Sequence, residues 1–262
     1  MIPITQGSVS LSFTRWLPFR AALTIIPSLL VSGILPAVLS PARIFSDHMV
    51  LQRDLPVPVW GRAEAGQRVV VEFAGQAVEA KVADDGPWQV KLKPMKANAA
   101  GRVMRILSAP GEDPVVIRNV LVGEVWFSGG QSNMAYTTGQ MARRVPEGKA
   151  LVDAAHLGGI RLRKINERNS PVPKDDLTGG GWDVCSPQSV VRHSAVAFVF
   201  ARRLHRELGV PVGIIDCSWG GTPIEPYIPL EAFTGHPTLE KLAALAKTGD
   251  IESVRRLPGG TF

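Results

Sequence analysis

The chain has 262 residues, of which 45% are hydrophobic and 20% are charged. This composition excludes a wholly disordered chain and is typical of a soluble globular protein with room for one ordinary domain and a smaller one. The formal charge of +6 would suit a nucleic-acid binder, but the lysines and arginines are scattered along the chain and form no single stripe, which argues against nucleic acid as a partner.

The N-terminal residues 1–40 have the pattern of an export signal. Arg15 and Arg20 precede residues 21–40, a run that contains no charged side chain. The alternative is a retained transmembrane anchor, but two prolines and a glycine interrupt the run, and no second apolar stretch of spanning length follows. We therefore expect a cleaved signal peptide, a secreted or periplasmic protein, and no stable membrane insertion after cleavage.

Residues 41–118 have the pattern of a small all-β domain. Short apolar runs begin near residues 56, 68, 77, 88, 103 and 115, and glycine-containing turns separate them. No helical pattern lies between the runs. Strands at this spacing predict a β-sandwich of roughly 75 residues.

Residues 119–262 have a different pattern, in which strands and helices alternate. Residues 194–208 mix apolar and basic side chains at helical spacing, with Ser194 as a candidate N-cap and Gly209 as a candidate C-cap. Alternation of this kind predicts a parallel α/β sheet. The strand candidates are 120–127, 159–165 and 212–217, and a second helix candidate is 238–257.

Residues 119–262 offer fewer strands than a complete doubly wound sheet contains. A doubly wound sheet normally has about five strands, whereas residues 119–262 offer three convincing candidates. The domain is therefore either unusually small or the N-terminal part of a larger one, and we favour the second interpretation.

The two cysteines, Cys185 and Cys217, leave two interpretations open. They could pair in an oxidising compartment, or each could be a separate buried thiol. Neither has the spacing of a zinc site, and the chain contains no phosphate-binding glycine motif. We therefore expect no metal and no cofactor.

Ser132 is the candidate nucleophile. Residues 123–134 (GEVWFSGGQSNM) place this serine just past the carboxyl end of an apolar strand and after two glycines. Ligands bind at that edge of open α/β sheets, and glycines allow backbone N–H groups to approach a substrate closely. A simple turn is the alternative, because the segment lacks the G-x-S-x-G elbow of other hydrolases.

Residues 123–134 closely resemble the first block of the sialate O-acetylesterase family, a branch of the SGNH hydrolases whose nucleophile is the serine of Gly-Gln-Ser-Asn-Met. Residues 45–53 (FSDHMVLQR) are similar to the start of the mature protein in that family, and residues 210–225 (VPVGIIDCSWGGTPIE) are similar to its second block. The resemblance runs from about residue 41 to at least Tyr227. It implies an N-terminal β-sandwich followed by a partial flavodoxin-like SGNH hydrolase domain with a parallel sheet.

The resemblance also implies roles at the site. Ser132 matches the nucleophile, with its own backbone N–H as one oxyanion donor, and Gly220 or Gly221 matches the glycine that supplies a second donor. Because both glycine-rich turns follow strands, they can meet at one edge of the sheet. The side chains that could contact the sugar are Gln131, Asn133, Trp219 and Glu225.

Two parts of the family's site have no counterpart in the sequence. The third block, which supplies an Asn donor, is absent, and the Asp-x-x-His pair that activates the serine comes late in the family's domain. Asp153 and His156 fit that string, but we expect a chance match because they lie soon after Ser132 and just before a strand. A hydroxyl without a base is a poor nucleophile, so we expect these 262 residues alone to be nearly inactive.

The function implied is hydrolysis of acetyl esters on carbohydrate by a serine nucleophile. Acetylated sialic acid is the substrate that the family name suggests, and an acetylated plant polysaccharide such as xylan is the rival. A catalytically incomplete carbohydrate-binding protein, in which the β-sandwich binds the sugar, is a hypothesis of a different class. A basic surface that binds acidic polymers is a third, for which binding would depend steeply on salt.

Overall fold

The computed structural model describes residues 39–108, 113–165, 174, 176–224, 227–228, 230–233, 235 and 237–248. The export signal expected for residues 1–40 therefore lies almost wholly outside the described residues, as do Glu225 and the second half of the helix expected at 238–257. None of the helices in the described ranges combines the length and hydropathy that a bilayer span requires.

The first part of the described chain consists of strands, and their residues alternate between buried and exposed. In β6, for example, Trp88, Val90 and Leu92 are buried and the residues between them are exposed. The buried faces pack into one apolar core. The strands are β1 Ser40–Pro41, β2 Val50–Gln52, β3 Val57–Arg62, β4 Arg68–Phe73, β5 Gln76–Lys81, β6 Pro87–Leu92, β7 Asn98–Leu107 and β8 Val115–Ser128.

These strands belong to two sheets. One has three strands in the order β1-β3-β6, and the other has eight strands and continues into the second half of the chain. The expected strands of residues 41–118 are all present, because each is long enough to show its alternation. β1 and β2 were not predicted, since two or three residues carry no recognisable period.

The second part of the described chain combines strands with helices. The helices are α1 Ser132–Ala135, α2 Thr138–Ala142, α3 Pro146–Asp153, α4 Pro187–Val190, α5 Ala195–Leu208 and α6 Pro237–Thr248, with a 3-10 turn at Leu230–Phe233. The strands are β9 Leu157–Lys164, β10 Asp183–Cys185 and β11 Val212–Asp216. The order of the large sheet is β10-β9-β11-β8-β7-β4-β5, and β9, β11 and β8 run parallel. The described chain is therefore a mixed α/β protein.

The helix α5 matches its prediction from Ser194 to Gly209. The Ser194 side chain accepts a hydrogen bond from the N–H of Ala197, and Gly209 ends the helix with a φ of 65°. The buried face of α5 includes Phe198 and packs on the sheet residues Ile160 and Ile214. This packing covers one face of the parallel strands.

The strand β8 joins the two parts. Its first half pairs antiparallel with β7, and its second half pairs parallel with β11. The boundary predicted between residues 118 and 119 falls inside this 14-residue strand. Asn119, at this boundary, has a φ of 55°, a left-handed conformation that Asn tolerates better than most residues. The described residues from 39 onward form one compact unit.

The two cysteines are free thiols, so the second of the two interpretations is correct. Cys185 is buried, and burial raises the pKa of its thiol to about 12. Cys217 is half-buried, and burial raises the pKa of its thiol to about 11. Both thiols are therefore protonated and unreactive near neutral pH.

A methyl group at Gly123 would overlap the carbonyl oxygen of Pro211, because that oxygen accepts from the N–H of Glu124 and so lies close beside β8. We expect Gly123→Ala to lower the free energy of unfolding by about 1–3 kcal/mol, the usual cost of overpacking. Gly158→Ala is the matched control, since a methyl group there meets no atom within 4 Å. Chemical denaturation measures both, and equal stability of the two variants would contradict the prediction.

The side chain of His193 is buried just before α5. Its Nε2 lies 2.8 Å from Asp183 Oδ2, and Arg192 forms an ion pair with the same carboxylate. Burial lowers the pKa of His193, and the neighbouring Asp183 opposes that effect only in part. The folded protein therefore binds this proton less readily than the unfolded chain does.

The pKa of His193 in the folded protein lies below its value of about 6.5 in the unfolded chain. The free energy of unfolding is therefore highest above that unfolded value and decreases as the pH falls from it toward the folded pKa. We expect His193→Gln to flatten the fall in the free energy of unfolding between about pH 7 and pH 5. His156→Gln removes an exposed imidazole and should keep the wild-type slope. A wild-type slope in His193→Gln would refute the assignment.

Candidate active site

Two glycine-containing turns meet at the carboxyl edge of the parallel strands. Ser128 ends β8 and lies opposite Asp216, which ends β11. The N–H of Cys217 donates to Ser128 O over 2.9 Å, and the N–H of Trp219 donates to Gly130 O over 2.9 Å. The turn 129–132, here the Ser132 turn, therefore lies against the segment 217–222, here the Gly220 loop.

Ser132 is exposed and begins the short helix α1. Its backbone N–H donates to Gln131 Oε1 over 2.7 Å, and its Oγ donates to the same oxygen over 2.5 Å. Gln131 Oε1 thus accepts from both the N–H and the Oγ of Ser132, the two groups that a reaction at this serine would use. A carbonyl oxygen entering this position has to replace Gln131 Oε1.

Gly220 is the glycine that lies beside Ser132. A methyl group at Gly220 would be 3.9 Å from the Cα of Ser132, so Gly220 is a close neighbour of the Ser132 turn. Gly221 has a φ of 81° and faces open space, which is the role of a turn glycine. Of the two glycines named from the sequence, Gly220 is the one that lies near Ser132.

A cavity of about 520 Å³ opens beside the Ser132 turn, within the range of small-molecule sites. The side chains of Phe127 and Ile224 on its wall are largely exposed, at 65% and 66%. The Tyr227 hydroxyl donates to Gly130 O over 2.7 Å and lies 3.2 Å from Thr222 Oγ1. The lining residues are Phe127, Gly129, Gly130, Gln131, Thr222, Pro223, Ile224 and Tyr227.

Of the residues named from the sequence as sugar contacts, Gln131 lines this cavity, whereas Asn133 and Trp219 do not. Asn133 is exposed on α1, and Trp219 is half-buried in the Gly220 loop and does not line the cavity. Glu225 lies outside the described residues. Sequence reasoning missed Thr222 and Tyr227, although both fall inside the stretch that resembles the family and carry the hydroxyl groups that close the loop.

His156 lies far from Ser132. It directly precedes β9, whose last residue Lys164 lies opposite Asp216 and so at the level of Ser128. A strand of this length, at roughly 3.3 Å per residue, places His156 on the order of 20 Å away, at the other edge of the sheet. Asp153 forms an ion pair with Lys149 on the surface of α3. Asp153 and His156 therefore do not activate Ser132.

No imidazole or carboxylate in the described part of the chain forms a hydrogen bond with Ser132 Oγ. The described histidines contact other groups: His48 accepts from Asn119, His193 pairs with Asp183, and His205 Nδ1 lies 2.7 Å from Val210 O. Ser132 and Gly220 thus lie together without a neighbouring base among the described residues.

No family model matches the chain, but it is similar to curated proteins over most of its length. The sialate O-acetylesterase of Rattus norvegicus is 31% identical over 199 residues, which is 70% of this chain and 36% of that protein. The human sialate O-acetylesterase is 29% identical over 226 residues, which is 77% of this chain and 43% of that protein. The chain therefore spans about two fifths of the length of these relatives.

A solved structure is also similar. The crystal structure of a carbohydrate acetylesterase from Xanthomonas citri is 33% identical, with a TM-score of 0.69, and covers 78% of this chain and 45% of that protein. The mixed α/β fold is consistent with the fold of that enzyme. With the motifs around Ser132 and Gly220, these likenesses show that the chain belongs to the sialate O-acetylesterase family.

Proposed function

We propose that this chain carries the nucleophile and oxyanion part of a secreted or periplasmic carbohydrate O-acetylesterase. The observation that carries the proposal is the closeness of Gly220 to Ser132 at the carboxyl edge of the sheet, beside a cavity. Residues 41–118 form its β-sandwich and residues 119–262 the N-terminal part of its flavodoxin-like SGNH domain. The names of the relatives and of the similar structure support the activity.

In the proposed reaction, Ser132 Oγ attacks the carbonyl carbon of the acetyl ester. The carbonyl π electrons move to oxygen, and the N–H groups of Ser132 and Gly220 bind that oxyanion. The tetrahedral intermediate collapses, the sugar hydroxyl leaves with the proton taken from Ser132, and an acetyl-serine remains. Water then attacks the acetyl-serine, releases acetate and restores the Ser132 hydroxyl.

In the proposed reaction, the side chain of Gln131 moves away from Ser132. Its Oε1 accepts from both the N–H and the Oγ of Ser132, so its side chain has to rotate away when the acetyl oxygen enters. Asn133, Trp219 and Glu225 are proposed contacts to the sugar. None of the described residues that contact Ser132 is proposed as the acceptor of its proton; a different group has that role.

The proposed substrate is an O-acetylated carbohydrate. An O-acetylated sialic acid is the first candidate, because the curated relatives are named for it. Acetylated xylan is the second candidate, since the similar structure is named only as a carbohydrate acetylesterase. Acetate release from the two substrates under the same conditions separates them.

We expect Ser132→Ala to lower acetate release by at least about a thousandfold in the natural polypeptide that carries this sequence, because loss of a serine nucleophile has effects of this size or larger. Gln188→Ala is the control, an exposed polar side chain in α4, and should keep the wild-type rate. Acetate release that persists in Ser132→Ala would contradict Ser132 as the nucleophile, whereas wild-type protein that binds the sugar and releases no acetate would favour a carbohydrate-binding role.

We expect His156→Ala to leave acetate release unchanged, because His156 lies at the opposite edge of the sheet from Ser132. A general base has to lie within hydrogen-bond reach of the proton that it removes. The measurement is kcat for acetate release in the same polypeptide. A hundredfold loss of kcat in His156→Ala would contradict the placement of His156 at the opposite edge of the sheet from Ser132.

A further inference from the structure

A buried carboxylate lies beneath the Gly220 loop. Asp216 ends β11 with only 1% of its side chain exposed. Its Oδ1 accepts from the N–H of Ser218 over 3.0 Å and from Ser218 Oγ over 2.5 Å. Its Oδ2 lies 3.4 Å from the N–H of Ser194, the N-cap residue of α5. The carboxylate therefore ties the start of the Gly220 loop to the start of α5.

A lysine completes this group from the neighbouring strand. Lys164 ends β9 directly opposite Asp216, and its Nζ lies 3.3 Å from Asp216 Oδ2. The same Nζ donates to Ser218 O over 2.9 Å and lies 3.2 Å from Ser218 Oγ. Asp216 thus holds the N–H of Ser218 and Lys164 holds its carbonyl, which fixes the peptide groups on both sides of Ser218.

The peptide fixed in this way leads directly to the oxyanion glycine. Trp219 follows Ser218 and donates its N–H to Gly130 O in the Ser132 turn, and Gly220 follows Trp219. The Gly220 N–H therefore belongs to the peptide directly after the one whose carbonyl Lys164 holds. A rotation of the Ser218–Trp219 peptide would move Gly220 relative to Ser132.

We propose that Lys164 and Asp216 are positioning residues, which hold the Gly220 N–H at the oxyanion position. This inference rests on the proposed function. Neither residue touches the reacting atoms; both act through the backbone of Ser218. Since the Gly220 N–H binds charge that develops in the transition state, its misalignment lowers kcat and leaves KM nearly unchanged.

The test compares Asp216→Asn, Lys164→Met and the double variant in the natural polypeptide. We expect kcat for acetate release to fall about tenfold to a hundredfold in all three, with KM within about twofold of wild type. The double variant leaves no lone buried charge, so it should recover part of the thermal stability lost in each single variant. The double variant should not recover kcat. If the two residues had a purely structural role, kcat would recover together with stability.

Matched controls come from the exposed ion pair between Lys149 and Asp153 on α3. Lys149→Met and Asp153→Asn make the same chemical changes on the surface, and both should keep the wild-type kcat. Hydrogen exchange provides a readout that needs no activity: the hydrogen-bonded amides of Ser218 and Trp219 should exchange at least about tenfold faster in Asp216→Asn than in Asp153→Asn.

The outcomes are distinguishable. If Ser132→Ala is inactive but Asp216→Asn keeps a kcat within twofold of wild type, the positioning role is wrong and the proposed function stands. If Ser132→Ala and wild type release acetate equally, the proposed function fails. If hydrogen exchange in the Gly220 loop is also unchanged in Asp216→Asn, Asp216 does not fix the backbone of that loop.

Discussion

The parallel pairing of β8 with β11 is the constraint on which the site depends. Ser128 lies opposite Asp216, so the turns that follow the two strands leave the sheet at the same level. Side chains alternate between the faces of a strand, and a slip of one residue would carry Asp216 to the face away from α5. The same slip would take Val212 and Ile214, both buried against α5, out of the core. The apolar packing of β11 therefore fixes the register that brings Ser132 and Gly220 together.

Local patterns predict the elements that are long and capped by their own residues. The alternation in β3 to β6 and the Ser194 and Gly209 caps of α5 are visible in the sequence because each depends on neighbours along the chain. The candidate nucleophile and the oxyanion glycine are also visible, since each follows an apolar strand with glycines. The resemblance to the family supplied their roles, which local pattern leaves open.

Features that depend on distant residues escape such reasoning. β2 is three residues long and is held by its pairing with β8. The contact between Lys164 and Asp216 joins residues from two strands that are neighbours only in the folded sheet. Tyr227 reaches Gly130 across nearly a hundred residues of sequence. Polar side chains of this kind look like ordinary surface residues until the strand order is known.

The continuity of β8 has a consequence for how the chain is built. The residues that pair with β7 and those that pair with β11 belong to one run of hydrogen-bonded backbone, and a join between residues 118 and 119 would cut it. Recombination could not replace the N-terminal region as an independent module without remaking the strand that ends four residues before Ser132. That region is thus part of the scaffold that positions Ser132.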